Sequence, residues 1–583
     1  MKINKRLGFL VSLLLVLAHV SVSGEASWYT EEEISSQCGM RFKAIDFDIQ
    51  SDELKNIFGT LSQWVGGLIA PWHDELINIA EEPLKKFIKS RSPAIVKNPY
   101  QNEVASVRFG NELSQGEKTY LNKRKKIVKQ ALEKLLGREL LDDDYIPRIA
   151  LVCSGGGYRA MVSTLGSFVG ADTIGLLDTV MWLVGLSGST WIEAIWMSTG
   201  LSIRELKKRL CNKVEHHLTT LTPQEAKQLV RSLLVKWAFD QPMTVVDLYG
   251  GLLANRLLDD FGEECHLVYL SEQQKLLEEA LVPFPIYTAV SPINEGKDLV
   301  WFEFNPYEIG SAWLRCFIPS WGYGRRYSKG LSQDYAPEQP LAYHMGTCGS
   351  AFSATIEQMY SEIEQKVHFD DALDTIATKI LNLIGNYRIT WAEVFNFVYG
   401  VEMNPLEHER YVRFIDAGLA FNLPYPPISG EREGRKADII IFLDASSTIP
   451  GRDYAGQAEF GKVQAYAHNH GLAYPYIDYS FAGERACSVY KQKGKPVVIY
   501  MPRIKDYELI RKHKDDKDLQ ECLSHIADFD PEESVHSGYC NTYNFVWTEE
   551  QLEQLSSLTE FNMRASVDQI KDAIEWVIQQ KRP

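Results

Sequence analysis

Two nearly continuous apolar runs, each ending in a glycine-rich turn, set the pattern of the chain after residue 145. The first covers residues 148–153 and leads into three glycines; the second covers residues 179–184 and leads into Gly185-Leu-Ser-Gly-Ser. Each turn is followed by apolar positions at helical spacing, over residues 158–168 and from Thr190 onward. Because buried parallel strands read as continuous apolar runs, this order of strand, turn and helix predicts a right-handed parallel sheet covered by helices.

The remaining pattern divides the chain into a small first region and a large second one. Apolar residues recur at helical spacing between residues 52 and 89, so residues 25–105 are expected to form a small helical N-terminal region. Residues 106–583 are expected to form one large domain. This domain begins with a long helix over 118–141 and gains further strands at 439–443 and 496–500.

The first 24 residues have the composition of an export signal. Lys2, Lys5 and Arg6 precede an apolar run over 9–22, and small residues follow up to Gly24. The run is shorter than the ~20 apolar residues that span a bilayer. We therefore predict a cleavable signal peptide over residues 1–24 and a secreted protein, with an uncleaved leader that anchors the chain to a membrane as the alternative.

Composition and charge exclude several classes of protein. The 583 residues are 45% hydrophobic and 24% charged, which is typical of globular proteins and not of disordered or fibrous ones. A total of 61 basic and 77 acidic side chains gives a net charge of -16, which disfavours nucleic acid as a partner. The nine cysteines are an odd number without a C-x-x-C pair, so neither a disulfide framework nor a zinc site is predicted.

The first glycine turn, residues 154–160, is suited to holding an anion. It matches a loose G-x-G-x-x-A pattern, but a dinucleotide fold also needs an acidic residue at the end of the next strand, and that strand ends in Val184-Gly-Leu-Ser. Backbone N–H groups of consecutive glycines at a helix N-terminus can instead stabilise a phosphate or an oxyanion. The turn alone leaves these two ligands open.

The second turn places Ser187 where a nucleophile is expected. A serine between small residues at a strand-to-helix turn is the context of a nucleophile elbow, although the match is to G-x-S-x-S and not to the full G-x-S-x-G. Such a serine needs a base. A carboxylate is one choice: Asp416 follows a short apolar strand and precedes a glycine, a context that also fits a turn aspartate. Histidine is the other choice, and the candidates by position are His344, His408, His468 and His470.

Three ordered blocks together resemble the catalytic domain of the cytosolic (group IV) phospholipases A2, a patatin-like family. They are S-G-G-G-Y-R-A-M from Ser154, G-L-S-G-S-T-W from Gly185 and D-A-G-L-A-F-N-L-P-Y-P from Asp416. The likeness runs from about Val107 to the C-terminus. It implies an α/β fold with a central mixed, mostly parallel sheet sandwiched by helices, and a small helical cap or lid within about 354–410.

The resemblance also implies a Ser/Asp dyad, in which Ser187 is the nucleophile and Asp416 the activating base. The expected reaction is cleavage of a fatty-acyl ester of a glycerophospholipid or lysophospholipid through an acyl-enzyme, at a membrane or micelle surface, without a metal or cofactor. The other implied site residues are Gly156 and Gly157 for the oxyanion hole, and Arg159 and Arg435 for the substrate phosphate.

Two further expectations concern recruitment to membranes and alternative functions. Residues 25–105 are too short and too poor in aspartate-rich loops for a C2 domain, so calcium-dependent recruitment is not expected. A catalytically silent phospholipid-binding protein and a transacylase that uses the same acyl-enzyme are the alternative functions. The presence of both Ser187 and Asp416 favours the hydrolase over the silent binder.

Overall fold

The computed structural model describes residues 85–86, 89, 96–141, 144–218, 220–293, 298–352, 391–447, 459–532 and 538–581. Spatial contacts divide the chain into two units. The smaller comprises residues 1–95, 230–240 and 358–388, and within it Lys85 Nζ lies 2.6 Å from Asp240 Oδ1. The larger comprises residues 96–229, 241–357 and 389–583. The predicted leader, most of the predicted helical region up to residue 105 and the predicted cap up to residue 390 lie outside the described residues.

One twelve-stranded sheet forms the centre of the larger unit. Its main order is β1-β7-β6-β5-β4-β3-β2-β12-β14-β13, β11 pairs with β4 and β10, and β8 and β9 form a separate hairpin. The strands of the described residues are β1 (Arg108–Phe109), β2 (Ile149–Cys153), β3 (Val180–Leu186), β4 (Phe284–Ile293), β5 (Asp298–Phe304), β6 (Glu308–Ser311), β7 (Cys316–Pro319), β8 (Tyr327–Ser328), β9 (Leu331–Ser332), β10 (Ala392–Phe395), β11 (Tyr411–Asp416), β12 (Ile439–Asp444), β13 (Ser488–Tyr490) and β14 (Val497–Pro502).

Helices flank this sheet. Those of the described residues are α1 (Gln115–Leu136), α2 (Gly157–Thr173), α3 (Gly188–Thr199), α4 (Ile203–Val214), α5 (Pro223–Ala238), α6 (Val245–Leu257), α7 (Gln274–Leu277), α8 (Leu341–Cys348), α9 (Glu459–Asn469), α10 (Tyr507–His513), α11 (Gln520–His525), α12 (Glu549–Ala565) and α13 (Val567–Gln580). No helix in these ranges is both long enough and apolar enough to cross a membrane.

The predicted α/β fold with a mixed sheet and flanking helices is confirmed. Five neighbouring strands, β4, β3, β2, β12 and β14, run parallel, and the remaining pairings are antiparallel. Every residue of β2, β3, β12 and β14 is buried. Strands covered on both faces have no solvent-facing positions, which explains why these segments read as continuous apolar runs.

Two elements differ from their predicted extent for local reasons. Helix α1 begins after Ser114, whose side chain accepts a hydrogen bond from the Glu117 N–H, and it ends at Gly137, a left-handed residue with φ 70°. The glycine C-cap therefore stops the helix before the predicted residue 141. Residues 392–395, within the segment predicted as a helical cap, form strand β10 because they pair with β11.

Strand β4 brings two distant segments together. Leu186, the last residue of β3, pairs in parallel with Thr288 of β4. Asp416, the last residue of β11, pairs in antiparallel fashion with the next residue of β4, Ala289. Strands β3 and β11 therefore meet with their carboxyl ends facing each other along one side of β4. This arrangement places Ser187 next to Asp416, although 229 positions separate them.

Candidate active site

Ser187 occupies a strained turn between β3 and α3. Its φ of 51° and ψ of -124° lie in a region that residues other than glycine rarely adopt. The side chain is only 3% exposed. The neighbouring Gly188 permits close packing, because a Cβ there would lie 1.9 Å from the carbonyl oxygen of Gly157. The turn thus has the conformation of a nucleophile elbow, and it lies directly against the first glycine turn.

Asp416 is buried at the end of β11. Its carboxylate accepts a hydrogen bond from the Gly418 N–H at 2.9 Å, and its own N–H donates to Ser350 Oγ at 2.9 Å. Burial raises the pKa of Asp416 to about 6, because desolvation outweighs the nearby Gly418 N–H, Ser187 side chain and Ala351 backbone, which favour the charged form. A carboxylate in this state can accept a proton from Ser187 near neutral pH.

The histidines considered as bases lie elsewhere. The buried His344 packs against Phe304 and Tyr323, with ring centroids 5.5 and 4.9 Å away. His408 is exposed beside Glu407, His468 is exposed near the end of α9, and His470 stacks on a tyrosine at 3.9 Å. Of the candidate bases, the Asp416 carboxylate lies close enough to the Ser187 side chain for that side chain to lower its pKa.

The first glycine turn presents backbone N–H groups beside the serine. Gly156 has φ 142° and Gly157 φ 61°, conformations that favour glycine. A Cβ at Gly155 would lie 2.8 Å from the Cβ of Ser187, so the turn packs against the nucleophile. N–H groups in the first turn of α2 have no acceptor within the helix. They can therefore donate to an oxyanion that forms at Ser187.

Asn422, which was not predicted as a site residue, links the segment that carries Asp416 to the first glycine turn. Its Oδ1 accepts from the Gly155 N–H at 3.0 Å, and its Nδ2 donates to the Gly155 carbonyl oxygen at 3.0 Å. The same Nδ2 donates to Ser446 Oγ at 2.6 Å. The segment that carries Asp416 therefore also fixes the glycine turn. Asn422 lies within the third sequence block, so its place in that block was the available signal.

Arg159, predicted to bind the substrate phosphate, lies beside the glycine turn. Its Nη2 would be 2.5 Å from a Cβ at Gly156. Its Nε donates to the Ala445 carbonyl oxygen at 2.7 Å, and its Nη1 donates to Cys540 O at 2.9 Å and Thr542 Oγ1 at 2.7 Å. These contacts fix the guanidinium in place. They leave Nη2 facing the turn.

Arg435, the second predicted phosphate contact, is not brought to this site. Its Nε and Nη2 lie 2.6 Å from the two carboxylate oxygens of Glu117, and its Nη1 lies 2.6 Å from Glu303. Glu303 pairs with Thr288, whereas Asp416 pairs with Ala289. Successive residues of a strand point to opposite faces. Arg435 therefore binds a carboxylate on the other face of the sheet from Asp416, in a buried ion pair.

A cluster of aromatic side chains packs around the starts of α2 and α3, close in the chain to Gly157 and Ser187. Tyr158, the second residue of α2, packs against Trp191 of α3 with ring centroids 6.1 Å apart and against Phe545 at 5.2 Å. Tyr249 of α6 lies 6.3 Å from Trp191. Burial, the ring of Tyr158 and the carboxylate of Asp416 all raise the pKa of Tyr249. An apolar setting of this kind suits an uncharged acyl chain.

The cysteines and acidic residues of the described ranges form no alternative site. Each of the eight cysteines there is buried with a free thiol. Within those ranges, no three His, Cys, Asp or Glu side chains converge as a metal site would require.

Comparison with known proteins identifies the family. The model of the lysophospholipase catalytic domain matches residues 149–469. This range is more than half of the chain and contains both glycine turns and Asp416. The chain therefore belongs to the family of lysophospholipase catalytic domains, and the resemblance noted in the sequence is confirmed.

Individual relatives are phospholipases A2. Human cytosolic phospholipase A2 zeta is 25% identical over 541 residues, which cover 80% of this chain and 62% of that protein. The structure of human GIVD cytosolic phospholipase A2 superposes with a TM-score of 0.67 at 20% identity, and covers 82% of this chain and 69% of that one. A complex of the same protein with methyl gamma-linolenyl fluorophosphonate gives a TM-score of 0.61 at 22% identity, with 82% and 66% covered. The chain thus spans about 62% of the length of the curated relative.

The predicted export of the protein is contradicted by these relatives. The human proteins that match over four fifths of the chain are both named as cytosolic. Residues 1–24, over which the signal peptide was predicted, lie outside the described part of the structure. A short apolar run after basic residues was therefore a misleading signal.

Proposed function

We propose that this chain is a serine acyl hydrolase that cleaves fatty-acyl esters of glycerophospholipids or lysophospholipids. The observation that carries the proposal is the close approach of the Ser187 side chain to the buried Asp416 carboxylate at the facing ends of β3 and β11, beside the glycine turn. Membership of the lysophospholipase family supports a lipid ester as the substrate. The aromatic cluster at the starts of α2 and α3 supports an acyl chain as the group that enters the site.

In the first step, Ser187 Oγ attacks the carbonyl carbon of the ester while Asp416 takes the hydroxyl proton. The negative charge that develops on the carbonyl oxygen is stabilised by the N–H groups of Gly156 and Gly157. The intermediate collapses when the bond to the glycerol oxygen breaks, and that oxygen takes the proton from Asp416. An acyl-enzyme and a lipid with one fewer acyl chain result.

In the second step, water attacks the acyl-enzyme. Asp416 removes a proton from the water as the new carbon–oxygen bond forms, and the same N–H groups hold the oxyanion. Breakage of the bond to Ser187 Oγ releases the fatty acid, and Ser187 regains its proton from Asp416. Every proton transfer passes through one buried carboxylate.

Loss of the serine hydroxyl tests this function. We expect Ser187→Ala and Asp416→Asn to lower kcat on lysophosphatidylcholine by about 10⁴-fold or more, since removal of a nucleophile or its base typically costs that much. A serine-directed fluorophosphonate should label the wild-type chain at Ser187, located by peptide mass spectrometry.

Ser189 provides the matched control, because it is the second serine of the same turn and donates to the Ser154 carbonyl oxygen instead of Asp416. Ser189→Ala should still be labelled at Ser187. Labelling elsewhere, or full activity in Ser187→Ala, would refute the dyad.

A further inference from the structure

Arg503 is a second buried arginine beside Arg159. It follows β14, and its N–H donates to the Asp444 carbonyl oxygen at 2.9 Å. The next carbonyl oxygen along the chain, that of Ala445, accepts from Arg159 Nε at 2.7 Å. Both arginines are 2% exposed, which matches the 3% exposure of Ser187. Consecutive residues after β12 therefore hold the two arginines at the same edge of the sheet.

Few hydrogen bonds satisfy the guanidinium of Arg503. Its Nη1 donates to the Pro531 carbonyl oxygen, whereas its Nε is buried without a hydrogen-bond partner in the described part of the chain. Two other buried arginines show the usual arrangement. Arg124 donates five hydrogen bonds to backbone carbonyl oxygens, and Arg325 donates three. Arg503 therefore has guanidinium N–H groups that are available to a ligand.

Among the described residues, only longer-range carboxylates offset the positive charge of this pair, namely Asp444 near both arginines and Asp530 near Arg503. Asp444 is engaged elsewhere, because its carboxylate accepts from the Ser446 N–H at 2.8 Å and the Tyr500 hydroxyl at 2.6 Å. No carboxylate oxygen in the described ranges lies within 4.0 Å of either guanidinium. Burial and the neighbouring Arg503 lower the pKa of Arg159 to about 9. Two adjacent buried cations of this kind are stabilised when an anion binds between them.

We propose that Arg159 and Arg503 together bind a phosphate group, and that Arg503 is the residue that distinguishes phosphate-bearing from neutral acyl esters. A guanidinium pair matches the oxygens of a phosphate through several N–H donors. The inference rests on the proposed hydrolase function, which identifies the phosphate as that of a lipid head group.

The order of the strands supports this assignment. Strands β3, β2, β12 and β14 are parallel neighbours, so the residues that follow them line one edge of the sheet. At ~4.8 Å between strands, the backbone of Arg503 lies roughly 14 Å from that of Ser187, with Arg159 between them. An ester carbonyl at Ser187 and a phosphate at the two arginines can therefore belong to one glycerophospholipid.

The test compares Arg503→Met with the wild type on lysophosphatidylcholine and on a monoacylglycerol with the same acyl chain, which lacks the phosphate. We expect kcat/KM for lysophosphatidylcholine, divided by kcat/KM for the monoacylglycerol, to fall about 10- to 100-fold. The fall should come mainly from a higher KM for lysophosphatidylcholine, and its size corresponds to the loss of one charge-assisted hydrogen bond. Arg503→Lys, which keeps the charge, should recover part of the ratio. Arg325→Met is the matched control, since it removes a buried arginine away from the phosphate and should leave the ratio unchanged.

Thermal unfolding supplies a readout that does not need turnover. Inorganic phosphate should raise the Tm of the wild-type protein, and Arg503→Met should lose that shift. If both the ratio and the shift are unaffected in Arg503→Met, the proposal is wrong and Arg503 is structural. A lost shift with an unchanged ratio would assign the site to free phosphate instead of a head group. If the wild type hydrolyses neither ester, the proposed hydrolase fails, while the phosphate shift still decides whether the arginines bind an anion.

Discussion

At the scale of single residues, the site depends on two side chains held in unfavourable states. Ser187 adopts a positive φ, and Asp416 is almost fully buried although it must carry a charge to act as a base. Backbone strain and desolvation both cost stability. In the proposed mechanism each has a chemical use, since the strained turn presents the hydroxyl and the desolvation raises the basicity of the carboxylate.

The raised pKa of Asp416 predicts the pH dependence of the reaction. Protonated Asp416 cannot accept the proton of Ser187, so kcat/KM should fall about tenfold per pH unit below pH about 6, the pKa that burial gives this group. Because burial raises the pKa, the acid limb is displaced upward from the ~3.9 of an ordinary aspartate. A pH–rate profile on a soluble uncharged ester measures this limb, with circular dichroism to verify that the fold persists. A limb near pH 4 would contradict the assignment of a buried base.

At the scale of elements, the two turns function because their backbones touch. Strands β2 and β3 are neighbours in register, with Cys153 opposite Gly185, so the turns that follow them emerge side by side. Close contact requires that Gly188 carry no side chain, since its Cβ would lie 1.9 Å from Gly157 O. Glycine at this position therefore sets the distance between the two turns, and in the proposed mechanism the distance from nucleophile to oxyanion donors.

Gly188→Ala should separate the two turns. We expect kcat/KM to fall by about 10²- to 10³-fold, the loss found when one oxyanion donor is removed, together with a destabilisation of about 1–3 kcal/mol from overpacking. Gly170→Ala is the control, because its Cβ would clash with Met563 and the Glu560 carbonyl oxygen, between α2 and α12. It should lower the Tm but leave kcat/KM of the folded protein unchanged. Equal kinetic losses in the two variants would show that the effect of Gly188 is merely structural.

At the scale of the whole molecule, a network of buried ion pairs lies on the face of the sheet opposite Asp416 and links elements that are distant in the chain. Arg435 joins Glu117 of α1 to Glu303 of β5, and Arg432 joins Glu303 to Glu308 of β6. All five side chains are nearly or fully buried. The network thereby connects the first helix of the larger unit, the antiparallel strands and the segment before β12.

Arg435→Met should destabilise the protein without affecting phosphate recognition. Removal of one partner from a buried ion pair typically costs about 3–5 kcal/mol, because the remaining charge is left without compensation. Urea unfolding measures the loss, and Glu117→Gln in the same chain should restore part of it. Arg413→Met is the control, since Arg413 is 52% exposed beside Glu393 and a surface pair contributes about 1 kcal/mol at most. A changed preference for phosphate-bearing esters without a loss of stability would restore the phosphate role first predicted for Arg435.

Local patterns in the sequence were sufficient to predict part of the fold and part of the site. The bounds of the two strand–turn–helix units were predicted within a few residues, because a buried strand and a glycine turn are each specified by residues that are neighbours in the chain. The strand at 392–395 was missed, since its pairing partner lies about twenty residues further along the chain. Asn422 and Arg503 were missed for a related reason: a polar residue in a loop or after a strand gives no sign of what it will contact.

The sequence by itself determined the family, the glycine turns and the residues that could serve as nucleophile and base, because these depend on motifs of a few neighbouring positions. Only the tertiary structure placed Arg503 beside Arg159, and Arg435 in a buried ion pair. That placement depends on strand pairing, since a shift of one position along β4, from Ala289 to Thr288, turns a side chain from the face of Asp416 to the face of Glu303. The register between distant strands is set by the packing of the whole sheet. It therefore cannot be predicted from a short stretch of sequence.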